Sequence, residues 1–180
     1  MSYTWFTSDM HFNHYTSEER NILKYCSRPF STVEEMNEKL IQNWNNRVGM
    51  EDTVYHVGDF CFKGGGCGKK SAQYWESLLN GKIIYVKGNH DVNNSTKSIM
   101  TCALLEFGNK IALCIHVPPT MRLEIPDFCD FVICGHVHEK WKVSWIEDIP
   151  LINIGTDAWN YKPVRMDELL GYYDHIQKTK

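Results

Sequence analysis

The sequence predicts an α/β domain of two sheets with helices packed outside them. Three observations point that way. Short apolar, β-rich runs such as Ile83 to Val86 and Phe131 to Cys134 recur along the chain, and they stop abruptly at glycine or at polar side chains. Between them lie stretches of helical spacing, the clearest carrying Val33, Met36, Leu40, Ile41, Trp44 and Val48 on one face. The 180 residues, 43% hydrophobic and 23% charged, are enough for one substantial core, so a single domain over residues 1–180 is expected.

In chain order, Tyr3 to Thr7 reads as a first strand that opens onto Ser8-Asp9-Met10-His11-Phe12-Asn13-His14. A carboxylate and an imidazole two residues apart can clasp one cation if the backbone turns there; a polar loop capping the next helix is the plain alternative. His14 is a further candidate, for substrate contact or for a solvent-facing position. Arg28-Pro29-Phe30 forms a turn, with Arg28 a candidate phosphate contact or an ordinary surface arginine. Ser31-Thr32-Val33-Glu34 has the form of a capping box and starts the amphipathic helix, whose Met36 and Trp44 belong to the core. Thr53 to Val57 is the second strand, with His56 expected as a hydrogen-bonded structural histidine, and it runs into Gly58-Asp59-Phe60. Gly64 to Lys70 lacks the spacing of a phosphate-binding loop and reads as a flexible loop, with Lys69 or Lys70 near a phosphate as the lesser reading. Ser71 caps a short helix through Leu79, which Gly81 ends.

Ile83 to Val86 is the next strand, and Gly88 turns the chain so that Asn89, His90 and Asp91 project from a sheet end. A polar loop over Asn93 to Thr96 follows. Leu104 to Phe107 and Lys110 to Ile115 around Gly108-Asn109 form a hairpin signal; the second strand delivers His116, and Pro118-Pro119 stop the ladder. Phe131 to Cys134 delivers Gly135-His136-Val137-His138. Trp141 to Ile146 and Leu151 to Ile154 read as strands of the second sheet, Gly155 to Tyr161 as a loop, and Met166 to Ile176 as a closing helix.

The composition excludes some partners. A net charge of −3 argues against holding extended nucleic acid by electrostatics, because phosphate backbones demand clustered Lys and Arg; a small nucleotide or another phosphorylated metabolite is compatible with it. The apolar runs are far short of the roughly 20 residues a membrane span needs, and Met1 to Trp5 has neither the basic start nor the apolar body of a signal peptide. No membrane partner and a cytoplasmic location are expected. The seven cysteines are odd in number and form no CxxC pair, which suits reduced, buried thiols better than disulfides or a zinc knuckle.

Five strand ends thus carry Asp-x-His, Gly-Asp, Gly-Asn-His-Asp, His and Gly-His-x-His, in that order. The set resembles the calcineurin-like metallophosphoesterase superfamily, whose pattern is DxH, GDxxD, GNH[DE], H and GHxH along a two-sheet α/β sandwich flanked by helices. Phrases such as Tyr25-Cys26-Ser27-Arg28-Pro29-Phe30 and Trp159-Asn160-Tyr161-Lys162-Pro163-Val164 look like those of small bacterial and phage members. The resemblance implies one metal held by Asp9, His11 and His138, a second by Asn89, His116 and His136, and Asp59 bridging both with its two oxygens. It implies two divalent transition-metal ions, manganese foremost, with iron, nickel or zinc as alternatives. Two ions about 3.5–4 Å apart lower the pKa of a shared water, so the nucleophile is a bridging hydroxide and not a side chain.

His90, by the same resemblance, protonates the leaving oxygen. The second aspartate of GDxxD is missing, since Gly58-Asp59-Phe60-Cys61-Phe62 puts Phe62 there, and Asp91 is the candidate to orient His90 in its stead. The implied activity is hydrolysis of a phosphodiester or phosphomonoester, with a small nucleotide-like substrate favoured because no large recognition insert is evident. A nuclease or protein phosphatase is the alternative enzyme. A non-catalytic protein-interaction scaffold is the alternative of another class, and it should have lost ligands, whereas all seven positions hold suitable residues.

Overall fold

A computed structural model describes residues 2–91, 96 and 100–179, so the stretch Asn93 to Ser95 read as a polar loop lies outside the described residues. The chain runs β1 (Thr4–Thr7), β2 (Tyr15–Ser17), β3 (Arg20–Asn21), α1 (Ile22–Tyr25), α2 (Val33–Asn45), β4 (Thr53–Val57), β5 (Gly64–Gly65), β6 (Gly68–Lys69), α3 (Ala72–Glu76) and β7 (Lys82–Val86). It continues through β8 (Cys102–Phe107), β9 (Lys110–Ile115), β10 (Phe131–Cys134), β11 (Val143–Ile146), β12 (Ile149–Asn153), β13 (Val164–Arg165) and α4 (Met166–Lys178). One sheet has the order β13-β1-β4-β7 and the other β11-β12-β10-β9-β8; β2–β3 and β5–β6 are two-stranded ladders of their own.

The centre of each sheet is parallel. β1, β4 and β7 run together, with Thr4 opposite Thr53 and Thr53 opposite Lys82. β9, β10 and β12 do the same, with antiparallel β8 and β11 at the edges. The sheets pack face to face, because alternate residues of each strand point to opposite sides. Phe6, Val57 and Val86 of the first sheet share a core with Ala112, Cys114, Phe131, Ile133 and Ile152 of the second and with Leu169, Tyr173 and Ile176 of α4. Trp5 and Val54 face the other way, into a core built with Met36, Leu40 and Trp44 of α2 and Trp75 of α3. On the far side of the second sheet, Leu113, Val132, Cys134 and Leu151 pack under Ile125 and Cys129. That outer face is covered by the segment leading into β10, which carries a short 3-10 turn at Arg122–Glu124. With both faces covered, β10 is buried at every position, which explains its unbroken apolar reading.

Several local expectations shift. The cap of α2 is Thr32 and not Ser31: Thr32 Oγ1 accepts from Glu35 N (3.1 Å), while Glu35 Oε2 reaches past the cap to accept from Ser31 N (2.8 Å). The helix after Ser71 ends at Glu76, and tighter turns carry Leu78 and Leu79. The glycine-rich stretch is not a free loop, since Asn13 Oδ1 accepts from Cys67 N (2.8 Å) and Asn13 Nδ2 donates to Gly68 O (2.9 Å). His56 is fully buried, yet neither ring nitrogen has a hydrogen-bond partner, in place of the bonded ring expected; Phe60 packs edge-on against it at 5.0 Å, and burial pulls its pKa down to about 4. All seven cysteines are free thiols; Cys67 is half-buried and Cys102 exposed, the other five buried. No helix among the described residues is long and apolar enough to cross a membrane.

Candidate metal centre

The carboxyl ends of β1, β4, β7, β9 and β10 lie along one edge of the sandwich, the side on which parallel sheets commonly expose their loops to ligands. The first two loops continue the sheet as a short ladder: Asp9 N donates to Gly58 O, His11 N to Asp59 O and Phe12 N to Phe60 O, each at 3.0 Å. Along this ladder and in the loop after β10 the backbone repeatedly enters the left-handed region, at Asp9 (φ 58°), His11 (49°), Asp59 (59°), His136 (69°) and His138 (50°). Such turns aim side chains at the edge that an extended strand would send to the two faces. Glycines make room between the loops. A β carbon on Gly88 would lie 2.2 Å from Asp59 Oδ1, and one on Gly135 would lie 1.9 Å from Ser8 Oγ.

Two groups of side chains converge here, Asp9 with His11 and His138, and Asp59 with His116 and His136; in each the three nearest ligand atoms lie within 4.8 Å of one another. Asn89 joins the second group, its Oδ1 at 3.0 Å from His116 Nε2 and 2.9 Å from His136 Nδ1. Asp59 stands between the groups. Its Oδ2 lies 3.5 Å from His11 Nε2 and 3.2 Å from His116 Nε2, while its Oδ1 accepts from His90 N at 2.8 Å. Oδ2 thus faces both groups, while Oδ1 is taken by the backbone.

The donor set fits divalent cations. His11 Nε2 is buried without a hydrogen-bond partner and faces a carboxylate oxygen. The Nδ1 of His116 bonds Val57 O (2.7 Å), which leaves Nε2 aimed at Asp59 and Asn89 to offer a lone pair to a cation or, without one, to hold a proton. Acceptors that converge in this way need a cation or protons among them. Burial alone would pull His116 down, but Asp59 and Asp9 hold its pKa up at about 9. Burial pulls His138 down too, and Asp157 outweighs it, holding the ring at about 10. The Asp9 carboxyl is pushed up by burial against the pull of His116 and His138, whereas burial and the charge of Arg28 drive His11 far down. Mixed carboxylate, carboxamide and imidazole donors suit transition metals better than calcium.

Around these groups lies a second layer that only partly matches expectation. Arg28 is neither a surface residue nor open to a phosphate. It is 4% exposed, and all five of its N–H donors are spent: Nε and Nη2 on Asp157 (2.8 and 2.9 Å), Nη2 also on Asp9 O (2.6 Å), and Nη1 on Met10 O (3.0 Å) and Met36 Sδ (3.2 Å). Asp157, passed over as part of a loop, bonds His138 Nδ1 at 3.0 Å and so links Arg28 to a candidate ligand. A carboxylate behind a histidine is a usual support of metal sites, and a later Asp with that role carries no spacing signal in the sequence. His14 is buried against Phe62 and turned to His11, so the solvent-facing reading falls; burial draws its pKa down to about 4. Asp91 was the candidate to orient His90. Its carboxylate accepts from Gly88 N (2.8 Å), Asp59 N (2.8 Å) and Phe60 N (3.1 Å), stapling the loops after β4 and β7 together.

His90 itself is exposed, with its ring 5.5 Å from that of His11 and 6.0 Å from that of His14. These rings wall a cleft of about 470 Å³ together with Tyr25, His138, Glu139 and Lys140. Three other hollows on the described surface are lined by none of the residues of either His/Asp group.

The model of the calcineurin-like phosphoesterase superfamily domain matches residues 6–166. The uncharacterized protein MJ1445 of Methanocaldococcus jannaschii is 38% identical over 167 residues, covering 89% of this chain and 85% of its own. The gene 66 protein of Mycobacterium phage L5 is 26% identical over 219 residues, covering 100% and 98%. Among solved structures, the Aquifex aeolicus protein AQ665, of unknown function, superposes with a TM-score of 0.72 at 25% identity, covering 96% of this chain and 100% of its own.

Proposed function

The chain belongs to the calcineurin-like phosphoesterase superfamily, and from that premise we propose that it is a phosphoesterase working with two divalent cations, manganese foremost, on a small phosphodiester or phosphomonoester. The observation that carries the reading is Asp59 Oδ2 between two His/Asp groups, with the lone-pair nitrogen of buried His11 facing it. Asp9, His11 and His138 would hold one ion, Asn89, His116 and His136 the other, and Asp59 would touch both. When bound, such a pair supplies Lewis acidity toward the phosphoryl oxygens and a water acidic enough to attack at neutral pH.

The protein's own groups do the rest. Asn89 contributes an oxygen without charge, so the four neutral imidazoles and two carboxylates of the set would leave net positive charge on two divalent cations for an anionic substrate. The His90 ring stands free on the cleft side of His11 and serves as proton donor to the leaving oxygen, with its main-chain N–H fixed by Asp59 Oδ1. The carboxylate clamp of Asp91 holds Asp59 and Gly88 in register for both tasks. A cleft of about 470 Å³ bordered by exposed Tyr25 and by Lys140 suits a nucleotide-sized ester better than a protein or duplex substrate.

The test is a panel with manganese, iron, nickel or zinc, using bis(p-nitrophenyl) phosphate, p-nitrophenyl phosphate and a set of nucleotides. Metal-dependent cleavage of at least one, abolished in Asp59→Asn with the fold retained, is expected. An intact panel with every metal, or normal turnover in Asp59→Asn, would overturn the reading.

A further inference from the structure

His14 is the ring in this cleft to which the chemistry above gives no task. It is buried, its plane lies 14° from that of Phe62 with centroids 4.7 Å apart, and its Nδ1 is 3.1 Å from Nδ1 of His11. Two imidazole nitrogens at that distance hold one proton between them, so one donates and the other offers a lone pair. Which ring donates follows from the other side of His11. Its Nε2 is buried, lacks a hydrogen-bond partner and faces Asp59 Oδ2 at 3.5 Å. A neutral imidazole that gives Nε2 to a cation keeps its proton on Nδ1. The acceptor must then be His14 Nδ1, and His14 carries its own proton on Nε2.

Resting on the proposed metal centre, we propose that His14 is a positioning residue, which accepts the Nδ1 proton of His11 and thereby fixes the ring angle and tautomer that present His11 Nε2 to the first cation. The comparison with the neighbouring ligands is direct. His116 Nδ1 bonds a main-chain carbonyl at 2.7 Å and His138 Nδ1 bonds the Asp157 carboxylate at 3.0 Å. His11 has neither; the place that a carbonyl or carboxylate fills for the others is filled by His14. An imidazole in that place adds no negative charge beside Asp9 and Asp59. Phe62 stacks on the face of His14 and restricts its rotation, while the loop turns at His11 (φ 49°) and Asn13 (φ 63°) set the two rings side by side.

Two measurements test this, and one needs no variant. In zinc-loaded protein, two-bond 1H–15N correlation spectra report which nitrogen of each ring carries the proton. Nδ1–H on His11 with Nε2–H on His14 is expected; Nδ1–H on His14 would overturn the proposal. Calorimetric zinc titration supplies the second readout. His14→Phe keeps a flat ring on Phe62 but removes the acceptor, and it should weaken one of the two ions by about 10–100-fold and leave the other unchanged. His14→Gln, which restores an acceptor oxygen, should recover part of the loss. Wild-type affinity for both ions in a folded His14→Phe would remove the role of His14 alone. A wild-type protein that binds no zinc would remove the metal centre itself, and this role with it.

Discussion

Five of the seven candidate ligands, Asp9, His11, Asp59, His136 and His138, hold left-handed backbone angles between 49° and 69°. Each such angle costs a side chain on the order of 1–3 kcal/mol, and Asp, Asn and His tolerate it better than most residues. The arrangement is therefore held by its surroundings, through the 9–12 to 58–60 ladder and the Asp91 clamp. The strain is measurable without any metal. His136→Gly and His136→Ala both lose the imidazole, but only glycine relaxes at φ 69°, so the glycine variant should melt above the alanine variant by about 1–3 °C in a thermal scan. Equal midpoints or the reverse order would mean that the turn is not strained. The convergence of the candidate ligands was prefigured in the sequence, because Asp, Asn and His after apolar runs are conspicuous. Arg28 and Asp157 were not, since 129 residues separate two halves of one ion pair and nothing local marks either. That Asp59 turns Oδ2 to both groups was equally hidden: the His90 N–H takes the other oxygen.

The elements that carry these residues were read from apolar runs broken by glycine, and β1, β4, β7, β9 and β10 stand close to where that pattern puts them. The β2–β3 ladder and α1 went unseen, being too short for any periodicity to register. The start of α2 slipped by one residue because Ser31 and Thr32, followed by Glu34 and Glu35, allow two boxes in adjacent frames. Glycine has opposite meanings in different elements, and this can be checked by a pair of variants. Gly88→Ala, after β7, drives a β carbon to 2.2 Å from Asp59 Oδ1 and 2.3 Å from Asp59 N; it should cost about 1–3 kcal/mol in urea unfolding and displace the Asp59 carboxylate. Gly171→Ala, within α4, meets nothing within 4 Å and should stabilise by about 0.5–1 kcal/mol. Gly88→Ala as stable as the wild type would contradict the close approach of the two loops.

For the whole molecule, the decisive feature is that two parallel-centred sheets share one core and end along one edge, so loops from positions 9 to 138 meet. The order of strands within each sheet could not come from spacing, because a parallel pair leaves no local mark of its neighbour. The frame is tied at its start by Asp52, whose carboxylate accepts from Tyr3 N (2.7 Å), Trp5 Nε1 (2.8 Å) and Gly49 N (2.9 Å). Burial alone would raise its pKa, but these donors outweigh burial and hold it below the ordinary 3.8. A carboxyl depressed in the folded state lends stability that is full above its unfolded pKa and is lost as pH falls through the folded one. Wild type should thus exceed Asp52→Asn by about 1–3 kcal/mol in unfolding free energy at pH 7, and the gap should close as pH drops below about 4. A gap constant over that range would refute the clamp. The central claim, a two-ion site bridged by Asp59, is tested most directly by anomalous diffraction from crystals grown with manganese. Two peaks are predicted, one among Asp9, His11 and His138 and one among Asn89, His116 and His136, with Asp59 Oδ2 between them; one peak, or none, would contradict it.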